Sequence, residues 1–216
     1  METEAFTSLM TSLVRDDDNR LSPGDVSTAL ALVINRYNAD RPRRLTQDVE
    51  VGEAMVLQTP DQWTNKRSSI LSIEAPIGRN PPSYVIEDYF YVYDLPDGDV
   101  ELRLLAGVVG VGELVRVRYT ASHADPLTFD EDDCEALACL GAAILCDQVA
   151  ALYGHDTDTT VQADSVQHND KGRNFAARAR DYRARYESKF GKPTSTNAAS
   201  AVARIPSPSR TGMRNR

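Results

Sequence analysis

Three cysteines, three histidines and one glycine-rich run are the residues whose types could carry chemistry in this chain. Cys134, Cys139 and Cys146 stand five and seven residues apart. Thiolate zinc sites pair their ligands about two to four residues apart, so this spacing predicts small apolar core residues on one helix. An odd cysteine count without a framework also points to reduced thiols in a cytoplasmic compartment. His123, His155 and His168 show neither HxH nor HExxH spacing and read as surface or loop histidines. Gly107-Val108-Val109-Gly110-Val111-Gly112 has the wrong spacing for a dinucleotide loop and leads into a strand, so it predicts a β-turn. Glu87-Asp88 lacks a matching acid, and His155-Asp156-Thr157-Asp158 reads as a solvated acidic loop. No P-loop and no GxSxG occurs. These residues predict no catalytic centre, no structural metal and no cofactor.

The elements that must position any site have a lopsided charge. The chain has 216 residues and a net charge of −8. Residues 166–216 carry twelve Lys/Arg and three Asp/Glu, a net of +9; residues 1–165 carry twelve and twenty-nine, a net of −17. An acidic body with a basic C-terminal arm suggests that the arm has its own partner. The length fits one domain with an elaboration. Apolar stretches fall short of the ~20 residues that span a bilayer. Met1–Leu13 carries Glu2 and Glu4 and no basic residue, unlike a secretory signal.

Periodicity sets the order of elements. Phe6, Leu9, Met10 and Leu13 predict a short amphipathic helix over 5–14, broken by Asp16-Asp17-Asp18-Asn19. Ser22-Pro23-Gly24-Asp25 predicts a helix start, Val26, Leu30, Val33, Ile34 and Tyr37 its buried face, and Pro42 its end near Asp40. From Leu45 to Ala121, short β-rich runs alternate with Gly, Pro and Asp. The runs are 55–57, 70–73, 84–86, 89–93, 100–105 and 114–119, and they predict an antiparallel meander or small sandwich. Thr128 with Glu131 predicts a capping box for a helix ending near Gly154. Its Ala- and Gly-rich middle predicts close approach of another backbone. A last helix, most secure over Lys171–Phe190, carries an apolar stripe of Phe175, Ala179, Tyr182, Tyr186 and Phe190. Residues 192–216 hold too few large apolar groups to offset ordering entropy and read as disordered without a partner.

Several stretches carry a family resemblance. They are Ile34–Arg43, Leu71–Gly78 followed by Pro81–Tyr84, Val117–His123, Ala142–Tyr153, and Ala163–Val166 with Lys171 and the Tyr182/Tyr186 helix. Over most of residues 22–190 the chain resembles the head-to-tail connector (adaptor) proteins of tailed bacteriophages, which dock beneath the portal ring. The resemblance implies a structural virion protein of the neck, present in host cytoplasm during assembly. It implies a homo-oligomeric ring, usually of twelve copies, that contacts portal and tail proteins. DNA would pass its lumen without specific binding, and no membrane is involved. It also implies C-terminal segments that insert into the portal.

The expected architecture is α+β. A bundle of about four helices (1–44 and 124–190) holds an inserted antiparallel β-region (45–123), and a flexible basic arm follows (191–216). On that arm Lys192, Pro193, Arg204, Ile205, Pro206, Arg210, Arg214 and Arg216 are the expected partner contacts. Phe175, Tyr182, Tyr186 and Phe190 are the expected helix or subunit packing residues. A head- or tail-completion factor would share this plan. A nucleic-acid-binding module is a second alternative, opposed by the acidic body and by tyrosines that lie on the apolar stripe. An enzyme is the third.

Overall fold

The computed structural model describes residues 1–105, 107–155 and 162–192, with the backbone alone for 155 and 162–170. It is α+β, as the periodicity predicts, and has two hydrophobic cores, one helical and one between sheets. The arm beyond Lys192 lies outside the described residues, and with it Pro193, Arg204, Ile205, Pro206, Arg210, Arg214 and Arg216.

The helical lobe begins with α1 (Thr3–Val14), which buries Phe6, Met10 and Val14 at four-residue spacing. Arg15 closes it at φ 52°, and Asp16 Oδ2 accepts from the Leu21 amide at 2.8 Å to fix the turn. In α2 (Pro23–Asp40) the Ser22 hydroxyl accepts from the Asp25 amide while Asp25 Oδ2 accepts from the Ser22 amide at 2.8 Å. This reciprocal cap satisfies two otherwise orphaned donors. Ala29, Val33 and Tyr37 are its fully buried face.

Helices α3 (Cys134–His155) and α4 (Gln162–Phe190) complete the lobe as an antiparallel pair. Tyr153 near the end of α3 stacks on Phe175 early in α4, with ring centroids 5.9 Å apart. At the other end Lys189 reaches Asp133, just before α3. Gly191 at φ 85° ends α4, the left-handed exit that glycine favours.

The expected cap at Thr128 does not form. Asp125 caps a 3₁₀ turn over Pro126–Thr128, a second such turn runs over Glu131–Asp133, and α3 starts only at Cys134. The close neighbour of Gly141 is the Met10 side chain, not a backbone: an added Cβ would stand 2.6 Å from its Cε. Backbone does approach at Gly172, where an added Cβ would lie 3.5 Å from the Ala150 carbonyl oxygen. By length and composition Glu131–Gly154 is long and apolar enough to cross a membrane, contrary to the reading of short apolar stretches. Here it is the central core helix, its apolar side chains packed among α1, α2 and α4.

The β-lobe holds two antiparallel sheets. In one, β6 (Leu114–Ala121) lies between β1 (Arg43–Glu50) and β3 (Ile70–Glu74). In the other, β5 (Val100–Leu104) lies between β2 (Val56–Leu57) and β4 (Phe90–Asp94). The first strand pairs with the last in register from Arg43↔Ala121 to Glu50↔Leu114, so the lobe is closed and not a simple meander. Strand β1 is not legible in the sequence because RRLTQDVE carries only two apolar residues, Leu45 and Val49, four positions apart. Tyr84–Ile86 forms no strand, only a bridge from Tyr84 to Glu74. Val115, Val117 and Tyr119 face inward as their alternation predicts. On the wet face Arg116 grips Asp48 of β1 through two bonds of 2.7 and 3.0 Å and stands 3.7 Å from Glu74 of β3. One guanidinium thus ties three strands, and its hydrogen bonds hold the Asp48 carboxyl below its usual range.

Candidate interaction surfaces

The two lobes meet at a polar joint. His123 lies in the loop just past β6, one of the two places its spacing suggested, but it is 5% exposed and not at the surface. Its amide donates to Asn38 Oδ1 at 2.6 Å, and Asn38 Nδ2 donates back to its carbonyl at 3.1 Å. Its ring nitrogens lie 3.0 Å from Thr128 Oγ1 and 3.1 Å from the Arg41 carbonyl oxygen. The ring also sits 4.5 Å from Tyr37, centroid to centroid. Burial lowers its pKa, with Arg43 adding to the effect, so the ring is neutral near pH 7. Of the other two, His155 ends α3 and His168 lies within α4 rather than in a loop.

Beside the joint, Asp133 is a fully buried carboxylate. Tyr37 donates to its Oδ2 at 2.9 Å, Arg41 Nη1 at 2.7 Å, and Lys189 Nζ stands 3.0 Å from Oδ1. Burial alone would raise its pKa, but Lys189, Tyr37 and Arg41 outweigh burial and hold it down. Burial and then the Asp133 charge push the Tyr37 phenol up. By its place in the run Asp130-Glu131-Asp132-Asp133, Asp133 belongs to a set of acids that suits a helix N-terminus. Its real work is to bind α2 and the end of α4 to the start of α3. Asp18 does the same at the opposite end, where Tyr153 and Lys171 donate to it.

The four expected packing residues all lie on the chain's own body. Phe175 and Tyr186 are buried, while Tyr182 and Phe190 pack half-buried against the helical core. Tyr182 donates to the Leu13 carbonyl at 2.9 Å, and Tyr186 donates to Asp40. Phe190 stacks on Tyr186 at 4.7 Å and lies under the Arg41 guanidinium. Lys192 is exposed just beyond the helix.

None of this assembles a reactive centre among the described residues. No group of three or more His, Cys, Asp or Glu side chains gathers there as a metal site would require. The three thiols are free and buried, and burial pushes Cys146 up to about 11, which leaves it a poor nucleophile. An open cleft of about 630 Å³ runs along Arg41, Arg43, Arg44, His123 and Asp130. Arg41 is already engaged by Asp133, and the cleft is the seam between the lobes.

The surface with unspent binding capacity is β4. It is an edge strand paired only with β5. Tyr91, Val92, Tyr93 and Asp94 are all exposed, so both of its faces are open. Tyr84, Ile86 and Tyr89, on the approach to it, are also exposed. Four of the nine tyrosines therefore crowd, exposed, into ten residues; among the described residues only Tyr93 of these lies under a cation, Arg103. Residues 84–101 add six acids and no Lys or Arg. This surface was missed, although a signal existed. A run with aromatics at 89, 90, 91 and 93 does not alternate with polar residues, and such a strand must be covered on both faces or left for a partner.

Comparison with known proteins yields no match to any family's sequence profile and none to a curated protein.

Proposed function

We propose that this chain is a structural connector, one copy of a ring that docks beneath the portal of a tailed bacteriophage and joins capsid to tail. The observation that carries the reading is the open β4 edge. A strand bare on both faces and along one side is a hazard in a protein that works alone, and a resource in one that assembles. Two carboxylate knots that lock the helical lobe from both ends suit a part that bears load. Buried, protonated thiols and a neutral, fully engaged histidine suit a role without catalysis. The chain would act in the virion neck, with a ring of about twelve copies as the family resemblance implies. The C-terminal arm, through Lys192 and the arginines after it, would reach the portal.

An acidic body also suits a DNA passage. Phosphates are repelled by carboxylates and held by Lys and Arg, so a lumen lined by the body would let DNA slide. A ring structure with a lumen lined chiefly by Arg and Lys would contradict this part. The reading as a whole is tested by mixing the purified protein with portal rings and sedimenting them. Co-sedimentation supports the connector role, and a portal pellet free of the protein refutes it.

A further inference from the structure

We propose that the β4 edge of one copy is covered by the exposed basic face of α4 from a second copy of this chain. This rests on the connector reading and names the contact that would build its ring.

The two surfaces complement each other in charge, size and chemistry. Residues 171–192 carry eight Lys/Arg, of which Lys171, Arg183 and Lys189 pair within the chain and Arg173 and Arg180 stay exposed; residues 84–101 carry six acids, of which Glu101 pairs with Arg103. On α4, Arg173, Ala177, Arg180 and Ala184 are all exposed and recur at helical spacing, so they form one solvent-facing stripe. No ion pair to either arginine is formed among the described residues. The alanines leave the stripe low enough for an apolar surface to approach. Eleven helical steps span about 16 Å, and a five-residue strand spans about 17 Å. Arginine stacks well on tyrosine, and this chain already does so where Arg103 sits 4.4 Å over the Tyr93 ring.

The same charges decide against the symmetric alternative. Two β4 edges paired with each other would set Asp94 and its acidic neighbours against their own copies, and like charges across an interface are costly. Within one chain no hydrogen bond or ion pair joins β4 to α4 among the described residues. The contact is therefore between different patches of successive copies. Such head-to-tail contacts close into rings when the rotation allows.

The test uses two charge-reversed full-length chains, Arg173→Glu/Arg180→Glu and Asp94→Lys/Asp97→Lys. All four positions are exposed, and circular dichroism verifies that each variant folds. Sedimentation velocity reads assembly. Each variant alone should need at least about tenfold more protein than the wild type to assemble, since reversal sets like charges face to face. The equimolar mixture should recover assembly, because the acidic α4 of one variant then fits the basic β4 of the other, and their two unaltered surfaces still fit each other. Variants that assemble like the wild type, or a mixture that does not recover, would overturn the inference. So would a wild-type chain that stays monomeric throughout. Portal co-sedimentation separates this from the connector reading. Wild type that binds portal while reversals leave assembly unchanged sinks the contact alone. Assembly through these faces with no portal binding sinks the connector role alone.

Discussion

Asp133 is the side chain on which the helical lobe most depends. It is fully buried and receives Tyr37, Arg41 and Lys189 from two other helical segments. Asp133→Ala would take the acceptor from Tyr37 and Arg41 and the ion pair from Lys189, and should cost about 2–4 kcal/mol in urea denaturation, a little under the range for a wholly buried ion pair because Arg41 is half exposed. Asp133→Asn keeps an acceptor and should cost less. Equal stability of Asp133→Ala and wild type would show that the knot is not structural. His123 sets a pH dependence. Its folded pKa is below the ordinary 6.5, so in acid the unfolded chain takes up the proton first. Stability from this group is full above about pH 6.5 and falls as pH drops through that value. Asp133, held below 3.8, adds a second loss at lower pH. His123→Gln should flatten the slope between pH 7 and 5, and an unchanged slope would exclude His123 as its source.

At the scale of elements, the close packing of α1 on α3 is the sharpest constraint. Gly141 leaves room for Met10, which is fully buried. Gly141→Ala should cost about 1–3 kcal/mol by overpacking, and pairing it with Met10→Ala should recover part of that loss. Purely additive losses would mean that the two sites do not touch. Helices were the legible part of the sequence. Ser22-Pro23-Gly24-Asp25 and Gly191 mark ends through local chemistry, and a 3.6-residue stripe marks the buried face. Strands were less legible because their partners are remote. Arg43–Glu50 becomes a strand by pairing with residues some seventy positions away, and its own residues are half charged. The Thr128 cap failed for a local reason: Asp125 and Pro126 fold a tighter turn first. His123 does lie in a loop, but its burial was not legible because burial by two lobes leaves no trace in spacing.

For the whole molecule, two lobes, an open acidic edge and a basic C-terminal sequence are the features on which the proposed connector role rests. The arm accounts for the last test of organisation. Truncation after Gly191 should leave the described fold intact, since α4 closes at Phe190 and its aromatic stripe packs within the chain. It should weaken or abolish attachment to the portal while leaving helix content per residue of the folded part unchanged. Unchanged affinity would move the anchor from the arm to the body. The most direct measurement of the central claim is electron microscopy of the purified protein mixed with portal rings. The connector account predicts a second ring of density, coaxial with the portal and stacked on one of its faces. Portal rings that look the same with and without the protein would contradict it.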